Sequence, residues 1–171
     1  MPTPSVPLST PSEGRPPQPP ERLKDRLRAD LTAAIKDRDK VRSGTIRMVL
    51  SAVSEAEVAG KAAVELSEQQ VLDVVIREAK KRREAEEAFT TAGRAELAEK
   101  EHAEAAVLSA YLPQQLSAEQ ITQIVSEAIA STGAAELGPR GIGKVMGVVT
   151  PQTKGRADGG AVASEVRRQL G

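Results

Sequence analysis

The sequence predicts an all-α protein, with an N-terminal helical bundle followed by a small C-terminal three-helix tail. Three observations carry that reading. Aromatic residues are nearly absent: there is one phenylalanine (Phe89), one tyrosine (Tyr111) and no tryptophan in 171 residues. Alanine, leucine, valine and glutamate dominate instead, which suits helices packed through small side chains rather than a β-sandwich. Beyond residue 20, apolar residues recur at helical spacing, and the short apolar runs fall inside that period. Helix punctuation is regular as well. Ser67 with Gln70, and Ser117 with Gln120, have capping-box spacing, and Gly93 and Gly133 stand where stops are needed.

Residues 1–20 hold eight of the eleven prolines. They can supply few helix or ladder hydrogen bonds and have little to bury, so they read as a disordered, partly polyproline arm. A passive tail is preferred to a docking site for a proline-recognition domain. The bundle is placed at residues 21–112 and the tail at 117–171.

The first helix begins near Glu21, with Pro20 suited to its first turn. Leu23, Leu27, Leu31 and Ile35 form its apolar stripe. After the charged break from Lys36 to Lys40, a second helix buries Val41, Met48, Val49, Ala52 and Val53 and stops at Gly60. The third starts at the Ser67 cap, turns Val71, Leu72, Val75 and Ala79 inward, and continues through the charged stretch Arg77–Glu87 to Gly93. The fourth covers about 94–112. Its apolar contacts are Leu97, Val107, Leu108, Tyr111 and Leu112, and Pro113 stops it. Ile121, Ile124, Val125, Ala128 and Ile129 define the fifth, which ends at Gly133. A short sixth helix fits Ile142–Val149 and a seventh fits Gly159–Leu170.

The 24 basic and 24 acidic residues cancel, so no global field points to nucleic acid or membrane. There is no cysteine, and His102 is the only histidine. Disulfides, thiolate chemistry, a cysteine zinc site and a multi-histidine metal site are therefore excluded, and neither metal nor cofactor is expected. No apolar run approaches the roughly 20 residues that span a bilayer. Residues 1–20 lack the basic and apolar regions of a secretory signal. A cytoplasmic protein without membrane contact is the expectation.

The last quarter of the chain is the one place that joins glycines to concentrated positive charge. Gly143, Gly147 and Gly155 permit tight turns or close helix approach. Asp158 precedes Gly159 and Gly160 and has the position of an N-cap, a role preferred to acid–base work. From Gly138 onward, Arg140, Lys144, Lys154, Arg156, Arg167 and Arg168 face only Asp158 and Glu165, six minus two, a local charge of plus four. Lys154 and Arg156 stand beside the positive end of the last helix, an arrangement that suits phosphate. The competing reading is a solvated basic face.

Lys80, Lys81, Arg82 and Arg83 form a second basic patch. Glu84, Glu86 and Glu87 follow at helical spacing, so a solvated, salt-bridged face is preferred to a second phosphate contact. Arg47, amid apolar residues, is assigned to fold support, either snorkelling or paired with a carboxylate of another helix. His102 reads as a surface residue. Tyr111 is expected to pack at the junction, its hydroxyl reaching across the hinge. No nucleotide loop, activated nucleophile or metal cluster marks a catalytic centre.

Four segments together resemble the GatB/YqeY family: Ile46-Arg-Met-Val-Leu-Ser-Ala-Val; Lys80-Lys-Arg-Arg-Glu with Ala92-Gly-Arg-Ala-Glu-Leu-Ala-Glu-Lys-Glu; Tyr111-Leu-Pro-Gln-Gln-Leu; and Gly143-Lys-Val-Met-Gly with Lys154-Gly-Arg-Ala-Asp-Gly. They stand in the family's order and span nearly everything after residue 20. The proline-rich arm departs from the family pattern, and the length resembles the free-standing form, without the catalytic domain of the glutamyl-tRNA(Gln)/aspartyl-tRNA(Asn) amidotransferase. The resemblance implies an all-helical fold whose tail contacts the tRNA elbow. It implies tRNA as partner, with amidotransferase or aminoacyl-tRNA synthetase components as further ones. Lys144, Lys154, Arg156 and Arg140 are the candidate contacts, through backbone and shape because stacking aromatics are missing. Two alternatives stand beside this one. The first is carbon–nitrogen ligase activity with glutamine as amide donor, exercised only within a larger complex. The second is a protein-binding helical adaptor without RNA. The oligomeric state and the relative orientation of the two helical parts are left open.

Overall fold

A computed structural model describes residues 22–171. The expectation of a disordered arm at residues 1–20 lies outside the described residues. Seven α-helices follow in order: α1 Leu23–Lys36, α2 Lys40–Val58, α3 Glu68–Thr91, α4 Ala95–Ser109, α5 Ala118–Thr132, α6 Ile142–Thr153 and α7 Gly159–Leu170. A 3-10 segment, Ala134–Gly141, joins α5 to α6. There is no strand among the described residues, and the protein is all-α.

The helices gather round two hydrophobic cores. Leu27, Ile46, Val53, Val75 and Leu108 centre the first, built by α1–α4. Val125, Val145, Val149, Val162 and Val166 centre the second, built by α5–α7. The two share no residue.

Starts and stops follow from local chemistry. Ser67 and Ser117 each accept the N–H three residues on, from Gln70 and Gln120, while those glutamines accept the serine N–H. Both are complete capping boxes. Gly133 ends α5 at φ 64°, a left-handed conformation that costs glycine little. The break after α1 is made without glycine, by Arg38 at φ 57°. Asp39 then caps α2 by accepting the Arg42 N–H at 2.9 Å. The start of α1 is capped from outside: Glu68 of α3 accepts the Leu23 N–H at 2.9 and 3.0 Å. That carboxylate satisfies an orphan donor and faces the positive helix end.

Several expectations need correction. Ile35, Val41, Met48 and Leu97 are exposed, not buried. Ile35, Met48 and Leu97 each stand one position from a buried residue of their helix, and Val41 lies in the first turn of α2, so each adds to periodicity without reaching the core. Helix α2 ends at Val58 with Ala59 as its cap, and Gly60, the next residue, lacks the positive φ of a left-handed glycine stop. The backbone leaves the α4 helix at Ala110, before Pro113. Helix α6 runs through Pro151 to Thr153. Proline removes one donor there, and the carbonyl it frees belongs to Gly147, on the exposed face. Gln152 and Thr153 meanwhile donate to the carbonyls of Val148 and Val149.

Gly143 and Gly147 also differ from expectation. Both lie inside α6 on its exposed side, and a Cβ added at either meets nothing within 4 Å. Neither makes a turn or a close helix contact. Gly147→Ala is therefore expected to raise stability by about 0.5–1 kcal/mol through helix propensity alone. A chemical-denaturation midpoint checks this.

Candidate functional site

The site is built where the two cores meet. The linker after α4 and the loop between α6 and α7 interlock through backbone and side chain. Leu116 N–H donates to the Arg156 carbonyl at 2.7 Å. Gln115 Nε2 donates to the Gly155 carbonyl at 2.8 Å, and Arg156 Nε donates to the Gln114 carbonyl at 3.2 Å. Gly155, at φ 72°, packs on α3 so closely that an added Cβ would stand 2.6 Å from Ile76 Cδ1. Beside it, Lys154 Nζ lies 2.9 Å from Asp73 Oδ1 of α3. The Lys154 contact, helped by Gln69, holds the Asp73 carboxyl below its ordinary range.

A cleft of about 230 Å³ opens at this junction. Ile76, Lys80 and Arg83 line it from α3, Met146 and Thr150 from α6, and Lys154, Asp158 and Gly159 from the opposite wall. Asp158 caps α7 through the Ala161 N–H at 3.0 Å. The positive end of α7 and three cationic side chains therefore border one cleft.

The sequence-predicted cations take separate places. Lys144 donates to the Thr132 carbonyl at 3.1 Å, closing the C-terminal end of α5. Lys144 and Lys154 are ten residues apart, about 15 Å along α6 at the α-helical rise. Arg140 is exposed on the 3-10 segment, on the Lys144 side. Arg156 clamps the linker. The four candidate contacts thus form two groups, one at each end of α6, while Arg167 and Arg168 of the same stretch lie in the last turn of α7.

The second basic patch divides too. Lys80 pairs with Glu84 at 3.6 Å, as helical spacing suggests. Lys81 turns back to Glu78 at 2.7 Å. Arg82 corrects the expectation of a solvated face, because it crosses to α4, where Nη1 lies 3.1 Å from both Glu101 and Glu104. It is a structural residue between helices, while Lys80 and Arg83 face the cleft. Arg47 is exposed and has no ion pair among the described residues. His102 is exposed and lies 2.9 Å from Glu86 of α3.

Tyr111 is buried within the first core and does not reach across the hinge. Its hydroxyl donates to Asp30 of α1 at 2.6 Å, and Arg26 stands 4.9 Å over the ring. Burial, then Asp30, pushes the phenol up to about 12 from 10.0. The folded state thus prefers the neutral phenol. Its contribution to stability is complete below pH 10 and is lost as pH rises from there through about 12. Tyr111 is the only tyrosine and there is no tryptophan, so ultraviolet absorbance reads this ionisation directly. Titration of the folded protein is expected near 12, against 10.0 for an exposed phenol.

Sequence reasoning missed Asp73, Ile76 and the linker residues Gln114 and Gln115. One signal existed: Asp73 interrupts the run Val71-Leu72-Asp73-Val74-Val75-Ile76, where a charge needs a partner. Its partner lies 81 residues away, 154 minus 73, beyond the reach of any local pattern.

Fold and site define a class: an all-helical protein with two helical cores and a cation-bordered cleft at their junction. A family model described as Yqey-like protein matches residues 24–170. The chain belongs to the YqeY-like family. No curated protein matches it. Among the described residues, no helix is long and apolar enough to cross a membrane.

Proposed function

We propose that the chain is a tRNA-binding accessory module that recognises nucleic-acid backbone and shape through its C-terminal helical domain, residues 117–171, docked on the bundle of residues 21–112. The observation that carries this reading is the junction cleft. There Lys80 and Arg83 of α3 and Lys154 of the α6–α7 loop line one cleft with the N-terminal end of α7, where the Asp158 cap is the single carboxylate in the lining. Three cations and a helix N-terminus suit a phosphate, and contacts of this type carry no base preference. Lys144 and Arg140 supply a second cationic group at the far end of α6, so a backbone with repeated phosphates fits better than a single small anion. The GatB/YqeY resemblance supports tRNA as the nucleic acid and amidotransferase or synthetase components as protein partners. Any carbon–nitrogen ligase role belongs to such a complex, with glutamine as amide donor.

Lys154→Glu combined with Arg156→Glu is expected to abolish tRNA binding in low salt. Filter binding or fluorescence anisotropy measures this, and unchanged affinity contradicts the reading. A protein-binding adaptor is the second reading, supported by the exposed apolar side chains of Val41 and Met48 on α2. Salt-insensitive capture of a protein partner, without tRNA binding, favours it.

A further inference from the structure

Lys154 already has an anion. Its ammonium is paired with Asp73 across the junction at 2.9 Å, and both side chains remain partly exposed. A phosphate that takes Lys154 must displace Asp73 or stand beside a carboxylate. The second arrangement is unfavourable, because like charges at hydrogen-bonding distance repel. In the paired state Lys154, then Gln69, holds the Asp73 carboxyl below its ordinary value. The pair also spans the two cores, which elsewhere meet through the Gly155–Ile76 contact and the linker bonds.

We infer that the Asp73–Lys154 pair is a charge latch: nucleic-acid phosphate and docking of the second core on α3 compete for the same ammonium. This inference rests on the reading of the chain as a tRNA-binding module and assigns that site its regulation. Phosphate engagement releases the latch, and the latched form holds the site partly shut. By linkage, whatever opens the latch strengthens binding, and binding opens the latch. Asp73 is then the internal mimic of the ligand.

The test uses the full chain and an unmodified tRNA transcript in low salt. Four proteins are compared: wild type, Asp73→Asn, Lys154→Gln and the double variant. Asp73→Asn keeps the size of the side chain on a partly exposed helix position, and circular dichroism verifies that it folds. The expected result is binding about two- to fivefold tighter for Asp73→Asn, the equivalent of the roughly 0.4–1 kcal/mol that exposed ion pairs carry. That gain must vanish in the Lys154→Gln background, because the freed ammonium is its source. A gain that survives there reflects only the loss of a negative charge and overturns the latch. Equal binding by wild type and Asp73→Asn also overturns it, while leaving the tRNA-binding reading intact. Binding by none of the four removes that reading, and the latch falls with it. As a second readout, the cysteine-free chain accepts one engineered cysteine on each core for distance measurement by paired labels. The distance is expected to lengthen in Asp73→Asn and, for wild type, on adding tRNA. A distance unmoved by both contradicts the latch.

Discussion

Arg82→Ala is expected to destabilise the protein by about 2–3 kcal/mol, below the full cost of breaking a buried ion pair because Arg82 keeps some exposure. Its Nη1 stands 3.1 Å from both Glu101 and Glu104, and the three side chains are 21%, 13% and 9% exposed. The contact with Glu104 is close but poorly aligned. Glu104 Oε2 is buried and has no hydrogen-bond donor, so the attraction there is Coulombic. Removing Arg82 strands two carboxylates three residues apart on α4, where like charges repel. Lys100, 4.0 Å from Glu104 and largely exposed, compensates weakly. The double variant Arg82→Leu with Glu104→Leu should recover part of the loss, since it removes the buried carboxylate but leaves Glu101 without its cation. Urea denaturation of the single and double variants measures both statements. An Arg82→Ala midpoint equal to that of wild type contradicts the assignment.

Gly155→Ala is expected to cost about 2–3 kcal/mol, the sum of left-handed strain and displacement of Ile76. Two parts of that figure separate experimentally. Gly93 has φ 69°, against 72° for Gly155, but an added Cβ there meets nothing within 4 Å. Gly93→Ala therefore reports strain alone, about 1–2 kcal/mol. The excess at Gly155 reports the crowding against Ile76 Cδ1 and Cγ1, at 2.6 and 3.1 Å. Ile76→Val removes Cδ1 and should return part of the excess. Equal losses at Gly93 and Gly155 contradict a tight junction. Beyond stability, Gly155→Ala pushes the second core off α3, so it also disturbs the cleft.

The outline of the fold was legible because its determinants are local. Ser67, Ser117 and Asp158 cap their helices through bonds that span three residues, and such spacing is visible in any sequence. Apolar periodicity placed Leu27, Val53, Val75, Leu108 and Val125 in the cores, but it did not single out Ile46 in the first or Val162 and Val166 in the second. Legibility failed where a residue's role depends on a distant partner. Arg82 looked like its neighbours Lys81 and Arg83, yet only Arg82 faces α4. Ile35, Val41, Met48 and Leu97 fit the apolar pattern but fall at its margin, where the position of the next helix decides burial. The sixth helix was placed only to Val149, yet it continues through Pro151, because the release of one carbonyl is harmless where that carbonyl is exposed, a tertiary fact. In the site, Lys154 and Arg156 were visible as cations, but their engagement with Asp73 and Gln114 was not. The extra 3-10 segment was likewise hidden: Gly133 ends one helix, and the turns that follow carry no strong periodic signal.

The central claim, that the basic C-terminal surface meets tRNA phosphates, is tested most directly by the salt dependence of tRNA affinity. Counterion release predicts that log affinity falls linearly with log salt, with a slope of about −0.7 to −0.9 per phosphate engaged. The wild type is expected to show such a line, and Lys154→Gln to flatten it by about one contact. Affinity that does not change with salt, or a slope untouched by loss of Lys154, contradicts the account.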